Sequence, residues 1–270
     1  MKKRIMTALI AAAMVFSLTA CGSKDSGSDD SMKYIQNNKK LIMGLDDTFA
    51  PMGFRDDKGD ITGFDVDLAK AVCDKLGVEL VLQPVDWEAK EHELATKSID
   101  CIWNGFSVTE ERLKNLTMSI PYMDNSISLV VVKGSPITTM ADMKGKKLAV
   151  QSGSSGEEAL DSEANKAFKD SLGSTVGLDS YTTALLDLET GSSDAVLMDS
   201  VMANYMITEM KKDFVVLSDS LVAEEYAVGF RKGEEALCNA VNDALKELKA
   251  DGTVAEISTK WFGADVTTIK

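Results

Sequence analysis

Arg112 closes the run Asp100-Cys-Ile-Trp-Asn104-Gly105-Phe-Ser107-Val-Thr109-Glu-Glu-Arg112, directly behind a Thr109 able to cap a helix. A guanidinium there can grip a carboxylate through two parallel hydrogen bonds, which the ammonium of a lysine cannot reproduce. The same side chain could instead pair on the surface with Glu110 or Glu111. Ser154 and Ser155 lie in the loop Gln151-Ser-Gly-Ser-Ser-Gly156, ahead of a stretch rich in Glu and Ala. Free backbone N–H groups at a helix start favour an anion. The loop lacks the lysine of a nucleotide-binding P-loop, so phosphate is not its expected guest. Asp199 ends the apolar run Ala195-Val-Leu-Met198, where a carboxylate can meet a cation or cap the following helix. Phe49 and Trp87 each follow a strand pattern and precede a helical one. They can wall a pocket, although core packing is an equal alternative for Trp87.

Other chemistries are excluded by what the 270 residues lack. The single histidine, His92, rules out most His-dependent triads and any His-rich metal site. Cys73, Cys101 and Cys238 have no metal-ligand spacing. Cys73 falls on the apolar face of a helical pattern and Cys101 inside a strand pattern, so buried thiols are expected rather than a disulfide. No zinc or iron signature occurs, and no cofactor is expected.

At the N-terminus, Lys2, Lys3 and Arg4 precede an apolar run that ends at Leu18-Thr-Ala-Cys21. These are the parts of a secretory signal, with a run too short to favour a spanning helix. Residues 22–31, GSKDSGSDDS, hold almost nothing to bury and read as a flexible leash. The three leading cations are part of 29 basic side chains against 43 acidic ones, so past Cys21 the balance is 26 to 43, or −17. Nucleic acid and anionic lipid surfaces both call for the opposite sign.

Positioning the candidate residues falls to two similar halves. Residues 41–45 form a strand pattern, and 64–76 show helical periodicity through Phe64, Leu68, Ala71, Val72 and Leu76, stopped by Gly77. A strand at 78–82, a helix at 87–96 and a strand at 99–103 follow, a β-α-β-α-β order that predicts a mainly parallel sheet. The second half repeats it: strand 147–150, a helix after the Ser/Gly loop, strand 174–178, helix 182–189 and strand 193–198. Residues 94–103 even align with 188–197, Asp100 matching Asp194. Extended runs at 125–133 and 225–231 suit a hinge that bends without breaking either sheet. Helices at 234–249 and 254–261 would pack back on the first half. Ligands of open α/β sheets bind beyond the carboxyl ends of the strands, here the cleft between the halves.

With these motifs in place the chain resembles the family 3 extracellular solute-binding proteins, receptors of ABC importers for polar amino acids. The resemblance runs from about residue 41 to 262. It is carried by Gly44-Leu-Asp46-Asp-Thr-Phe49-Ala-Pro51, Gly63-Phe-Asp-Val-Asp67-Leu-Ala, the Asp100–Arg112 run, the loop at Gln151 and Met198-Asp199. It implies an α/β fold of the periplasmic-binding-protein type II, two α/β lobes joined by a two-strand hinge around a ligand cleft. The corresponding division is a signal peptide at 1–20, a lipidated cysteine and linker at 21–32, one lobe of 33–124 with 224–270, and the other of 125–223. The Leu-Thr-Ala-Cys tetrad is similar to a bacterial lipobox, implying acylation at Cys21 and a membrane anchor, each buried methylene adding about 0.8 kcal/mol.

By the same resemblance Arg112 grips an α-carboxylate, with Ser154 and Ser155 on its other side. Asp199 meets the α-ammonium with Ser107 and the Asn104 carbonyl, Gly105 belongs to the central motif, and Phe49 and Trp87 stack on the side chain. Trp103 departs from the small or aliphatic residue usual at its place and either reshapes the pocket or fills core. Asp46 matches a position that meets polar or cationic side chains, and Asp47 and Glu225 are candidates for added negative charge. Arginine, lysine or another polar amino acid is the expected ligand, with cystine or glutamine as alternatives, and an ABC permease is the expected partner. An enzyme similar to cyclohexadienyl dehydratase would need a raised-pKa donor such as Glu225 or Asp46; no paired carboxylate or nucleophile motif stands out. The remaining alternative is a ligand-sensing ectodomain working with a signalling partner.

Overall fold

The computed structural model describes residues 29–270; the expected signal peptide, Cys21 and most of the linker lie outside them. From the N-terminus come α1 (Ser31–Asn38), β1 (Lys40–Leu45), β2 (Thr48–Phe49), β3 (Gly53–Arg55), β4 (Ile61–Thr62), α2 (Phe64–Leu76) and β5 (Glu79–Pro84). A 3-10 turn, Trp87–Ala89, leads into α3 (Lys90–Ala95), β6 (Cys101–Ile102), α4 (Glu110–Asn115) and β7 (Leu116–Met118). Then follow β8 (Met123–Val132), β9 (Lys147–Gln151), α5 (Ser155–Asp161), α6 (Lys166–Ser171), β10 (Ser174–Leu178), α7 (Tyr181–Glu189), β11 (Ala195–Asp199) and α8 (Ser200–Thr208). The chain ends with β12 (Phe214–Tyr226), β13 (Gly229–Arg231), α9 (Glu235–Ala250) and α10 (Thr253–Phe262).

Helix α2 has the expected boundaries. Phe64, Leu68, Ala69 and Val72 are buried along one stripe, and Gly77 ends the helix in the left-handed conformation, φ 71°, where a missing Cβ removes the steric penalty. The first sheet has the order β5-β1-β6-β13-β7, with β5, β1 and β6 parallel and β13 running against both neighbours. The second sheet is β10-β9-β11-β8-β12, its first three strands parallel and the last two antiparallel. Each lobe is thus mixed rather than wholly parallel, because the returning hinge strands join the sheets.

The internal repeat has a structural basis. In the first lobe Ile42 N–H donates to Asp100 Oδ2 at 2.9 Å, and in the second Lys147 N–H donates to Asp194 Oδ2 at 2.8 Å. The Asp100 and Asp194 N–H groups return bonds of 2.7 and 2.9 Å to the carbonyls of Ile42 and Lys147. One acid per lobe therefore fastens the incoming strand, β6 or β11, to the start of the first.

Three elements depart from the sequence reading. Helix α1 begins at Ser31, inside the expected linker: Asp29 accepts from Ala236 N–H, and Ser31 Oγ accepts from Leu237 N–H at 3.0 Å. These groups serve the first turn of α9, whose own Glu234 makes no capping bond; unpaired N–H groups at a helix start need such acceptors. The short sheet β2-β3-β4 had no expectation. The 87–96 helix begins instead as a 3-10 turn, with Asp86 accepting from Glu88 N–H. Cys73, Cys101 and Cys238 are free and buried, as expected. Trp103 is fully buried with its ring centroid 6.4 Å from that of Tyr122, so it fills core.

Candidate functional site

The Asn104-Gly105 turn follows β6 and is held from beneath. Buried Asp65 accepts from Gly105 N–H at 2.7 Å and from the Tyr122 hydroxyl at 2.9 Å through the same oxygen. Burial pushes the Asp65 carboxyl up to about 7. Asn104 Oδ1 accepts from Asp46 N–H at 3.1 Å, tying the end of β1 to this turn. Gly105 has φ +57°, and a Cβ there would lie 2.7 Å from the Phe49 ring. Only glycine allows this backbone and this closeness together.

Thr109 caps α4 by accepting from Arg112 N–H at 3.2 Å. The guanidinium is 4 % exposed, lies 4.1 Å from the centroid of the Phe106 ring, and donates from Nη1 to Ser107 O at 2.8 Å. It does not pair with Glu110 or Glu111. The nearest carboxylate in ion-pair range is Glu91, at 4.0 Å from Nε. A planar cation held on an aromatic face and a backbone carbonyl keeps donors for a carboxylate.

Across the cleft, Ser154 Oγ caps α5 by accepting from Glu157 N–H at 3.1 Å. Asp199 occupies the cap position of α8 without making the side-chain capping bond. Its carboxylate turns inward, accepting from Asn125 Nδ2 at 2.7 Å and the Tyr226 hydroxyl at 2.6 Å. Burial raises its pKa, and that of Asp46.

The lobes meet over this region. Gln151 Nε2 donates to Asp46 Oδ2 at 2.8 Å, and the Phe49 and Tyr181 rings lie 5.9 Å apart. Between them is a narrow cavity, which nine of the ten predicted ligand residues line. The tenth, Ser107, sits behind the lining, its Oγ 3.2 Å from that of Ser155. Trp87 does both things expected of it, lining the cavity and setting its edge against Phe106 at 6.1 Å.

Some candidates fall elsewhere. Asp47 is engaged by Arg55 at 2.6 Å, and the Glu225 side chain is exposed. The inward acid of β12 is Glu224, because alternate residues of a strand face opposite sides. Its Oε2 accepts from Ser107 Oγ at 2.6 Å and lies 3.0 Å from Ser155 Oγ and 3.3 Å from Asn125 Nδ2. Burial, with Asp199 nearby, pushes it up to about 7. Gln151 and Tyr181 also line the cavity without having been chosen. Gln151 stood inside a quoted motif, whereas Tyr181 carried no local signal. Among the described residues no cluster of His, Cys, Asp and Glu could hold a metal, and no helix is long and apolar enough to cross a membrane.

Residues 41–264 match the family of bacterial extracellular solute-binding proteins, family 3. The chain is 35% identical to the L-cystine-binding protein TcyJ of Escherichia coli over 94% of each sequence. It is 32% identical to the arginine-binding extracellular protein ArtP of Bacillus subtilis, over 96% of this chain and 98% of that one. A solved ABC uptake transporter substrate-binding protein from Streptococcus pneumoniae, with histidine bound, superposes with a TM-score of 0.85 at 42% identity. That alignment covers 89% of this chain and 99% of the other.

Proposed function

This chain belongs to the bacterial extracellular solute-binding proteins of family 3, and from that premise we propose that its solute is a basic amino acid, arginine or lysine, delivered to an ABC permease. In this reading the two lobes, 33–124 with 224–270 and 125–223, close on the ligand. Acylation at Cys21 holds the protein to the outer face of the membrane.

The observation that carries the proposal is the charge balance of the cavity. Its lining sets one cation, Arg112, against two carboxylates, Asp46 and Asp199. The α-carboxylate of an amino acid takes Arg112 and the α-ammonium takes Asp199, leaving Asp46 for a cationic side chain. Behind the lining, Glu224 and Lys90 are both shifted to about 7 by burial, so neither sets a fixed charge against this balance. A buried carboxylate is costly unless paired or hydrogen-bonded, so a ligand of net charge +1 neutralises the site. The names of the relatives, which cover cystine, arginine and histidine, support an amino acid as the class.

One observation favours a neutral polar side chain instead. Asp46 already accepts an amide N–H from Gln151, so an amide or other neutral donor, as in glutamine or cystine, could take the same acceptor. Thermal unfolding with arginine, lysine, ornithine, histidine, glutamine, cystine, glutamate and aspartate separates these readings. Ligand at a hundredfold excess over its Kd stabilises by about 2.7 kcal/mol, and the basic members are expected to raise the melting temperature most. Preference for glutamate or aspartate, or no shift with any of them, overturns the proposal.

A further inference from the structure

Lys90 is the first residue of α3 in the first lobe, and it is 3 % exposed, a rare state for a lysine. Its partners are backbone carbonyls from both sides of the cleft. Nζ donates to Trp87 O at 2.9 Å in its own lobe and to Gly153 O at 2.7 Å in the other. The ammonium also stands 4.9 Å from the centroid of the Trp87 indole, the face that attracts a cation.

At Gly153 the lobes touch backbone to backbone. Its φ is +70°, and a Cβ there would lie 2.9 Å from Glu88 Cα and 3.3 Å from Trp87 O. Gly153 N–H donates to Glu157 Oε2 at 2.7 Å. The peptide groups around this residue are thus gripped from two directions, the carbonyl by Lys90 and the N–H by α5. The next two residues, Ser154 and Ser155, line the cavity opposite Arg112.

We propose that Lys90 is a positioning residue for the carboxylate seat. By holding the Gly153 carbonyl across the cleft, it fastens the Ser154-Ser155 turn in front of Arg112 and latches the two lobes shut. The inference rests on the reading that this cavity takes an amino-acid carboxylate.

Filling the site strengthens the latch for an electrostatic reason. Burial first, then the neighbouring Arg112 guanidinium, push Lys90 down to about 7, opposed by Glu91 beside it and by Glu157 and Glu158 on α5. A ligand carboxylate on Arg112 cancels much of that repulsion and lets the ammonium remain charged while buried. Opening then breaks the Gly153 bond and leaves a desolvated carbonyl to be rehydrated, so the latch acts on escape more than on entry.

Four proteins decide it: wild type, Lys90→Met, Lys90→Arg and Arg112→Ala, each mixed by stopped flow with the tightest-binding member of the panel arginine, lysine, histidine, glutamine and cystine. Lys90→Met keeps the length of the side chain but has no donor; it is expected to raise koff about tenfold, with kon changed less than about twofold. Lys90→Arg, which keeps donors, recovers most of the slow release, and the unliganded melting temperature of Lys90→Met stays near that of wild type. Lys90→Gln, with a single amide donor, replaces Lys90→Met if the latter does not fold and is expected to fall between it and wild type. Wild-type koff in Lys90→Met or Lys90→Gln, or equal losses in Lys90→Met and Lys90→Arg, overturns the latch. A wild type that binds no member of the panel overturns the carboxylate reading and the latch with it. Binding by wild type together with unchanged affinity in Arg112→Ala overturns the carboxylate reading, whatever Lys90 does.

Discussion

Arg112 has the surroundings of a binding cation rather than a surface one. Its plane rests on Phe106, one nitrogen is committed to Ser107 O, and among the described carboxylates only Glu91, at 4.0 Å, comes within ion-pair range. Burial lowers its pKa without making it neutral in any ordinary range. In the proposed complex the ligand carboxylate becomes its main partner, so Arg112→Ala strands an anion in a desolvated site. We expect a loss of about 3–5 kcal/mol in binding, a hundred-fold or more. Arg112→Lys should recover little of it, because an ammonium offers no fork. Isothermal titration with the preferred amino acid is the measurement, and an alanine variant binding as tightly as wild type would remove Arg112 from the site.

Asp100 and Asp194 show how an element depends on one acid. Each sits at the entrance of its strand and exchanges bonds with the neighbouring parallel strand, so one side chain supports the pairing of β6 on β1 and another that of β11 on β9. Asp100 is the more buried and is also approached by Arg231 of β13 at 3.5 Å, while Arg231 Nη1 donates to the Leu94 and Ile99 carbonyls. Asp100→Ala leaves the Ile42 N–H without its acceptor and Arg231 with Glu234 as its remaining charge partner. An expected cost of about 2–3 kcal/mol follows from losing a charged acceptor in a buried place. Urea unfolding of unliganded protein measures it, and a midpoint within error of wild type would show that the acid does not hold the strands. The match of residues 94–103 to 188–197 was legible in the sequence as a pattern. Its purpose required both lobes to be seen.

On the scale of the whole molecule, two buried acids tie stability to pH. Asp65 under the Asn104-Gly105 turn and Glu224 in β12 are both pushed up to about 7, chiefly by burial. The folded protein therefore keeps protons between the ordinary carboxylate range and about pH 7 that the unfolded chain releases. Their contribution to stability is complete at the acid end of that window and is lost as pH rises through about 7. Lys90, lowered to about 7, works the other way, but only above that pH. Glu224→Gln should therefore gain on wild type by about 1–3 kcal/mol between pH 5 and pH 7.5. Unfolding of both unliganded proteins at the two pH values tests this, and parallel curves would show that Glu224 does not titrate there.

Sequence alone determined what is local. The end of α2 at Gly77, the Thr109 cap that starts α4 and the strand at 174–178 each follow from a few adjacent residues, since capping and side-chain period act over one or two turns. Nine lining residues could be named because the motifs that hold them resemble those of the family 3 solute-binding proteins. Tertiary structure decided what depends on two distant segments meeting. That Glu224 rather than Glu225 faces inward follows from how β12 pairs with β8 through its irregular register. That Asp29 and Ser31 cap α9, that Tyr181 packs against Phe49, and that Lys90 reaches Gly153 are contacts between parts of the chain far apart in sequence. Such contacts leave no periodic trace in the sequence because their geometry is set by how the sheets and lobes close on one another.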